Sequence, residues 1–333
     1  MPLIMESSGT SPKTDLRIIE AQDWLSRKYS FVSQDWIPVA GDASNRRYFR
    51  VRVDDTIYVV MDAPPGKENC KGFLDICKRL RKAGLHAPRV FQHNLQKGFI
   101  MLEDLGDGLY RDELDRLEPQ ALFDDSFDAL ATMAKNVDAT GLPKYDEDTL
   151  YNEMNLFTDL YLVRHLGFCL THRQRLAWMR FCEELVQAAL EQPQVFVHKD
   201  FHSNNLLKTE DNSPGIIDFQ DAVSGPISHD FVSLIWDRYV AWSRPQLEQW
   251  MEQVRLILAP EITSDQWVYY CDLMGLQRNL RIVGRFAQLK YSERKQGYIE
   301  MIPRFHQYIL DVLHLYPQFA DVEKWIGSDE CAP

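Results

Sequence analysis

An aspartate, an asparagine and a second aspartate follow one another between residues 198 and 218 in a pattern that suits phosphoryl transfer. Asp200 precedes Asn205 by five residues in the segment HKDFHSNN, and Asp218 comes thirteen residues later in the segment GIID. Transfer from ATP needs a group that orients or deprotonates the attacking hydroxyl, and hard oxygen ligands that hold Mg²⁺ on the phosphates. These three side chains would meet both needs.

The chemistry of magnesium limits which of the three side chains would bind it. Mg²⁺ keeps several waters and takes only one or two protein carboxylates, so Asn205 and Asp218 form a sufficient ligand set. Asp200 then stays free of metal, close to the incoming hydroxyl, as general base or orienting group. A structural interpretation stays open, because Asp and Asn commonly form local turns and Asp218 could simply end a strand.

Two short strands are predicted beside these residues, in an otherwise helical half of the chain. The runs VFVH at 195–198 and GIID at 215–218 are apolar and flanked by loops. Helical periodicity resumes after Ser228 and also predicts three long helices before the site. These are Leu122–Val137, Leu150–Leu166 and Arg173–Leu190. We expect the last residues, Ser328–Pro333, to form a frayed tail.

The first hundred residues predict a small sheet with one helix. Asn45–Val53 alternates with a period of two and is followed by a second strand at Thr56–Met61, which together indicate a β-hairpin. Apolar residues then recur every three or four positions from Phe73 to Gly84, as in an amphipathic helix with a glycine cap. A further strand pair is predicted at Arg89–Phe91 and Gly98–Leu102.

Length and composition indicate a folded protein with two domains. The 333 residues change character near residue 105, which predicts domains at 1–105 and 106–333. The net charge of −12 and the lack of a Lys/Arg run argue against nucleic acid as a partner. Six cysteines without a C-x-x-C pair fit a reducing cytoplasm. No apolar stretch approaches the roughly 18 residues of a membrane span, and Met1–Lys13 does not read as an export signal.

HKDFHSNN followed by IIDFQD resembles the catalytic and metal-binding loops of aminoglycoside phosphotransferases and choline kinases, which are relatives of protein kinases. The resemblance covers nearly the whole chain. It implies an α+β, protein-kinase-like two-lobe fold, with a small β-rich nucleotide-binding lobe and a larger, mainly helical lobe for catalysis and substrate binding. The implied cofactors are ATP and Mg²⁺.

The resemblance also assigns roles to residues of the loop. Asp200 matches the catalytic aspartate, Asn205 and Asp218 match the metal ligands, and Asp230 matches an acid that braces the catalytic loop. His198 is interpreted, like His202, as a loop-shaping hydrogen-bond partner. Neither histidine suits zinc, because no thiol or third histidine lies at metal-site spacing.

Nucleotide contacts are implied at two places in the N-terminal lobe. Ser44, Asn45 and Arg46 precede the first hairpin strand, where kinase-like folds place a loop over the phosphates, although a surface turn would use the same residues. Glu103 and Leu105 lie in LEDLG, which resembles the linker between the lobes. Backbone groups of that linker bind the adenine edge in the family.

The third predicted strand departs from the protein-kinase pattern. Protein kinases carry a lysine there that pairs with phosphate oxygens, whereas this chain reads YVVMD at 58–62. Four cations are alternatives for the phosphate contact, namely Arg46, Arg47, Arg50 and Lys67, and binding of the nucleotide by the lobe in another way also stays open. The acid that pairs with the lysine in kinases is equally open between Glu68 and Asp75. The missing lysine also leaves open a non-catalytic, nucleotide-binding pseudokinase.

Longer phrases, such as VVMDAPPGKENCKGFLDI and GIIDFQDAVSGPISHDFVSL, resemble bacterial cell-wall amino-sugar kinases. That subgroup phosphorylates the anomeric hydroxyl of N-acetylmuramate and N-acetylglucosamine in peptidoglycan recycling, and its product passes to a uridylyltransferase. An aminoglycoside or choline kinase is the alternative enzyme.

Two predicted helices carry candidates for binding the sugar. Arg278, Arg281 and Arg285 are spaced along one face of a predicted helix, and a guanidinium can bind the N-acetylmuramate carboxylate through two hydrogen bonds. We prefer Arg278 among the three. Glu153 is predicted to line the sugar cleft. A solvated helix face or ion pairs with surplus acids would explain the arginines as well, and ordinary packing would explain Glu153.

Overall fold

A computed structural model of the chain describes residues 15–39, 46–114, 116 and 118–333. Its strands are β1 (Ile37–Val39), β2 (Arg47–Val53), β3 (Thr56–Asp62), β4 (Val90–Asn94), β5 (Phe99–Glu103), β6 (Gln194–Val197), β7 (Leu206–Leu207), β8 (Gly215–Ile216) and β9 (Val223–Pro226). Its α-helices are α1 (Leu16–Ser26), α2 (Cys70–Lys82), α3 (Tyr110–Glu113), α4 (Pro119–Asn136), α5 (Glu147–Leu156), α6 (His172–Leu190), α7 (His229–Ile235), α8 (Arg244–Leu258), α9 (Ser264–Ser292), α10 (Ile302–Leu313) and α11 (Ala320–Ile326). A π-helical segment, Phe157–Leu166, continues α5, and 3₁₀ turns cover Ile299–Met301 and Pro317–Phe319.

The chain divides into two compact units. The N-terminal unit contains the residues up to Asp107 together with Thr209–Gln220, and the helical unit contains Gly108–Lys208 and Asp221–Pro333. The predicted fold class, a small β-rich part followed by a larger helical part, is confirmed. Within the described ranges, no helix is both long and apolar enough to cross a bilayer.

The N-terminal unit is organised around a five-stranded antiparallel sheet with the order β1-β2-β3-β5-β4. The predicted hairpin is formed by β2 and β3, with Val53 opposite Thr56. Asp54 makes the turn with a φ of +48°, a left-handed conformation that aspartate tolerates better than most residues. The predicted strand pair also forms, as β4 and β5. Alternation in the sequence therefore located the sheet.

Helix α2 forms where the apolar spacing predicts it. The Asn69 side chain caps its start by accepting a hydrogen bond from the Gly72 N–H at 3.0 Å. The apolar positions of the predicted stripe are all buried: Phe73, Ile76, Cys77 and Leu80. Gly84 follows the helix with a φ of +90°, the left-handed conformation that favours glycine at a helix end.

Helix α9 is the central element of the helical unit and is buried along much of its 29 residues. It packs against α5 at the point where α5 changes into the π-helical segment. A Cβ on Gly284 would lie 2.4 Å from the Leu156 carbonyl carbon and 2.5 Å from the Phe157 nitrogen. The sequence predicted one continuous helix over Leu150–Leu166, so the π-helical half is a correction. Gly284 is more than a hundred residues away in the chain, so the sequence pattern of residues 150–166 does not reveal this contact.

Gly284→Ala is expected to destabilise the protein, although alanine is favoured over glycine inside helices by about 1 kcal/mol. The added methyl group would clash with backbone atoms, which cannot move away by changing rotamer as a side chain can. Overpacking of this kind lowers the free energy of unfolding by about 1–3 kcal/mol. Chemical denaturation of the purified variant would measure the change in the free energy of unfolding. Ser292→Ala, at an exposed position in the last turn of the same helix, is the control. Equal stability of both variants would show that α5 and α9 are not in close contact.

The end of the chain is packed, contrary to the predicted frayed tail at Ser328–Pro333. Cys331 is completely buried, and its carbonyl oxygen accepts a hydrogen bond from the Tyr161 hydroxyl at 3.1 Å. The composition of the tail is polar, but one small apolar side chain and one backbone carbonyl suffice to dock it on the helical unit.

Candidate active site

The loop that follows β6 is held by a carboxylate from the first turn of α7. Asp230 is buried and accepts hydrogen bonds from the backbone N–H of His198 at 2.6 Å and of Lys199 at 3.0 Å. Lys199 has a φ of +77°, which a lysine rarely adopts. The two charge-assisted hydrogen bonds therefore fix an uncommon backbone conformation immediately before Asp200.

Asp200 and Asn205 lie in the same closed turn. The Asn205 side-chain Nδ2 donates to the Asp200 carbonyl at 2.9 Å, and the Asn205 backbone N–H donates to the His202 carbonyl at 2.8 Å. The Asp200 N–H donates to His198 Nδ1 at 3.3 Å. Because Nδ2 makes the bond to the backbone, the amide oxygen of Asn205 is the atom left for a cation.

The Asp200 carboxylate lies beside a guanidinium from α9. Arg281 Nη2 is 3.8 Å from Asp200 Oδ1, and the Asp200 side chain remains 38% exposed. Burial is the largest effect and opposes ionisation of the carboxyl, but the surrounding positive charges, with Arg281 the strongest, together place the pKa of Asp200 below its ordinary value. Asp200 is therefore an ionised carboxylate at neutral pH, able to accept a hydrogen bond from a hydroxyl group.

Glu153 of α5 joins the same group of charges. Its carboxylate lies 3.1 Å from Lys199 Nζ and 3.7 Å from Arg281 Nε, and it also accepts hydrogen bonds from Tyr145 Oη and from Gln277 Nε2. Burial works against ionisation here as well, yet Arg281 and Lys199 lower the pKa of Glu153. The Arg281 guanidinium thus bridges two carboxylates.

The three arginines predicted to share one face of α9 have different surroundings. Arg278 is buried and donates from Nη1 to the Trp236 carbonyl at 3.2 Å, and Arg285 pairs with Glu293 at 2.7 Å. Arg281 is the member of the stripe that lies beside Asp200. The interpretation of the stripe as a solvated helix face is wrong for Arg278, because that residue is only 3% exposed. The contact between Arg278 and substrate stays a prediction.

His202 follows Asp200 by two residues and is buried. Burial and the nearby positive charge of Arg238 hold the pKa of His202 well below its ordinary value, so the ring is neutral. Within the described ranges, no group of three or more His, Cys, Asp or Glu side chains is arranged to hold a metal ion. A magnesium site built on one amide and one carboxylate needs no such group.

Asp218 belongs to the N-terminal unit and follows the two-residue strand β8, which is shorter than predicted. Its φ is +62°, and its Oδ1 accepts a hydrogen bond from Gln220 Nε2 at 2.9 Å. Arg46 Nη2 lies 3.8 Å from the same oxygen, and Arg46 Nε lies 3.5 Å from Glu68 Oε2. The structure thus places Arg46, Glu68 and Asp218 together, a grouping that the sequence did not predict.

The residues predicted to contact nucleotide differ in what the structure describes. Ser44 and Asn45 lie outside the described residues, whereas Arg46 lies within them. Glu103 ends β5, and its carboxylate accepts a hydrogen bond from the Arg89 N–H at 2.9 Å. Leu105 is partly exposed in the segment that follows.

Arg50 of β2 braces the segment after β5. Its guanidinium contacts the carboxylates of Asp104 and Asp107, at 2.5 Å and 2.9 Å, and its Nη2 donates to the Gly106 carbonyl at 3.3 Å. Several charge-assisted bonds to one guanidinium restrict the segment. The backbone predicted to bind adenine is therefore held in a defined position within its own unit.

Comparison with known proteins gives relatives over nearly the full length of the chain. An N-acetylmuramate/N-acetylglucosamine kinase of Pseudomonas aeruginosa is 38% identical over 330 residues, covering 94% of this chain and 97% of the relative. The protein of the same name from Neisseria meningitidis is 33% identical, covering 94% and 97%.

Solved structures share the fold at low sequence identity. The choline kinase LicA from Streptococcus pneumoniae is similar with a TM-score of 0.63 and 14% identity, covering 90% of this chain and 98% of that one. The ADP-bound aminoglycoside phosphotransferase APH(2'')-Ib is similar with a TM-score of 0.58 and 15% identity, covering 89% and 97%. The family model described as the phosphotransferase enzyme family matches residues 35–260. The chain therefore belongs to the phosphotransferase enzyme family.

Proposed function

We propose that this protein transfers the γ-phosphoryl group of ATP to the anomeric hydroxyl of N-acetylmuramate and N-acetylglucosamine, giving the sugar 1-phosphates. The observation that carries the proposal is the ionised Asp200 carboxylate, exposed at the end of a braced loop beside Arg281. The choice of amino sugar rests on relatives of that name at 33–38% identity over nearly the whole chain.

Asp200 acts on the acceptor sugar in this mechanism. Its carboxylate accepts a hydrogen bond from the anomeric hydroxyl, orients the oxygen for attack on the γ-phosphorus, and takes the proton as the new oxygen–phosphorus bond forms. The bond between the γ-phosphorus and the bridging oxygen breaks, and ADP leaves with that electron pair. An anomeric hydroxyl is more acidic than an ordinary alcohol, so a carboxylate of low pKa suffices.

Asn205 and Asp218 are the proposed ligands of Mg²⁺, through the amide oxygen and the carboxylate. When bound, the ion neutralises charge on the β- and γ-phosphates. One amide and one carboxylate fit the oxygen preference of Mg²⁺ and its tendency to keep water ligands. The proposed phosphate contacts are Ser44, Asn45 and Arg46. The backbone at Glu103 and Leu105 is proposed to contact the adenine ring.

Glu153 is proposed to bind the sugar, and its position supports this. It shares Arg281 with Asp200, so a hydroxyl bound at Glu153 lies close to the residue that acts on the acceptor. Lys199 and Arg281 also supply positive charge for the carboxylate of N-acetylmuramate. Arg278 remains a proposed contributor to that charge.

The cellular setting follows from the proposed product. A sugar 1-phosphate is the substrate class of a uridylyltransferase, and we place both enzymes in the cytoplasm, in peptidoglycan recycling. The acidic net charge of −12 is consistent with a small-molecule substrate and no nucleic-acid partner.

A substrate panel tests the proposed reaction. We expect magnesium-dependent ADP release with N-acetylmuramate and N-acetylglucosamine, and little with choline or kanamycin, because the relatives at 33–38% identity are N-acetylmuramate/N-acetylglucosamine kinases. The 1-methyl glycoside of N-acetylglucosamine is the matched control, since its anomeric oxygen carries no proton. Phosphorus NMR of the product would identify the 1-phosphate.

Three outcomes of the panel would contradict the proposal. Equal turnover of the methyl glycoside would move the acceptor to another hydroxyl. Faster turnover of choline or kanamycin would show that one of these compounds, and not an amino sugar, is the substrate. ATP binding without ADP release on any compound would favour the pseudokinase.

A further inference from the structure

The N-terminal unit has no counterpart of the phosphate-binding lysine of protein kinases, but it contains a guanidinium that can serve the same purpose. Strand β3, Thr56–Asp62, has the sequence TIYVVMD and carries no lysine. ATP bound to magnesium still carries uncompensated charge on its phosphates, and kinases of this fold class place a cation against them. The sequence left four cations as candidates for this contact: Arg46, Arg47, Arg50 and Lys67.

Two of these cations are each engaged at hydrogen-bond distance, 2.5–2.9 Å, by a pair of carboxylates within the unit. Arg47 contacts Asp15 and Asp62, both at 2.5 Å. Arg50 contacts Asp104 and Asp107 in the segment after β5. Moving Arg47 to a phosphate would leave Asp15 without its cation and take one of two guanidiniums from Asp62, which Arg17 also contacts. Moving Arg50 would remove the guanidinium from Asp104 and Asp107. Both arginines are therefore structural.

Arg46 has different partners. It directly precedes β2, and its side chain is 9% exposed. Its distances of 3.5 Å to Glu68 and 3.8 Å to Asp218 are those of ion pairs rather than of close hydrogen bonds. Asp218, one of these partners, is a proposed magnesium ligand. Phosphate oxygens that share a metal ion with Asp218 would therefore come within reach of the Arg46 guanidinium.

Glu68 and Asp218 are themselves held by packed elements. Glu68 lies one residue before Asn69, which caps α2. The ring of Phe73 in α2 contacts the ring of Phe219, the residue after Asp218, with centroids 4.9 Å apart. The acid at the start of α2 and the proposed metal ligand are thus tied to one helix, and Arg46 lies between them.

We propose that Arg46 is the phosphate-binding cation of this protein, taking the place of the strand lysine, and that Glu68 orients it. The inference rests on the proposed ATP-dependent function and deepens the phosphate contact proposed for Arg46, because it gives Arg46 the role of the missing lysine and Glu68 as its partner. A guanidinium suits the position because its planar donors can bind two phosphate oxygens at once, while its charge is retained when it is buried. Lys67 is exposed and has no such partner pair in the described part of the chain.

Binding of ADP and of adenosine, measured by calorimetry with the whole chain and Mg²⁺, tests this role. Arg46→Met is expected to weaken ADP about 10-fold to 100-fold, the loss of a charge-assisted contact, and to leave adenosine unchanged because adenosine has no phosphate. Arg46→Lys should be intermediate. Arg52→Met is the matched control, since Arg52 is an exposed arginine of β2, the strand that follows Arg46. The ADP affinity of Arg52→Met should equal that of the parent.

The comparison separates this inference from the proposed function. Parent-like ADP affinity in Arg46→Met, with sugar phosphorylation intact in the parent, would overturn the role of Arg46 alone. An equal loss for ADP and adenosine would also overturn it, because the substitution would then act on the fold or on the adenine site. A parent chain that binds neither compound would overturn the proposed function itself.

Discussion

Asp200→Asn is expected to lower turnover of N-acetylglucosamine by about 10²-fold to 10⁴-fold, the usual loss when an oriented general base is removed. The amide keeps the size of the carboxylate but cannot accept the hydroxyl proton. Affinity for ADP should not change, because Asp200 is not among the proposed metal ligands. Steady-state ADP release and calorimetric ADP binding on the same preparation would measure both quantities.

The control for this experiment separates catalysis from folding. Glu210→Gln makes the same change of an acid to its amide at an exposed position, and its turnover should match that of the parent. Because Arg281 would lose one of its two carboxylate partners in Asp200→Asn, the midpoint of thermal unfolding of this variant must be measured as well. Parent-like turnover in Asp200→Asn would remove the residue from the mechanism, whereas a collapse of the midpoint would assign it to the fold.

The sequence predicted those elements that depend on local patterns. Alternation located the β2–β3 hairpin, and the three-and-four spacing located α2 with its glycine end. The spacing of Asp200 and Asn205 predicted one loop, and the structure closes that loop with a hydrogen bond between them. In each case the residues that decide the structure are close together in the chain.

The missed features all depend on residues that are distant in sequence. Arg278 and Arg281 lie in the same stripe on α9, and they differ in neighbours that are distant in sequence. Arg281 lies beside Glu153 and Asp200, whereas Arg278 donates to the Trp236 carbonyl. The helix changes from α to π after α5 at the point where Gly284 of α9 lies against its backbone. The group of Arg46, Glu68 and Asp218 joins residues up to 172 positions apart, because Thr209–Gln220 folds with the N-terminal unit.

Asp230→Asn is expected to damage the site without touching substrate. The carboxylate accepts two backbone N–H groups, those of His198 and Lys199. An amide offers one acceptor oxygen and turns an NH₂ group towards the second N–H, which leaves a buried donor unsatisfied. We expect the free energy of unfolding to fall by about 1–3 kcal/mol. Turnover should fall about 10²-fold, because small displacements of a reacting group are costly.

We expect the effect on turnover to come from displacement of Asp200, because the hydrogen bond from the Lys199 N–H to Asp230 stabilises the uncommon φ of +77° at Lys199. Asp265→Asn is the matched control, because Asp265 is also an acid in the first turn of a helix but is exposed. It tests the loss of a charge at a helix start, which is worth about 0.3–1 kcal/mol. If Asp230→Asn lost no more stability than Asp265→Asn and kept parent turnover, the loop would hold Asp200 without help from α7. A loss of turnover at temperatures where Asp230→Asn is still fully folded would instead identify the hydrogen bonds from α7 as the device that positions the base.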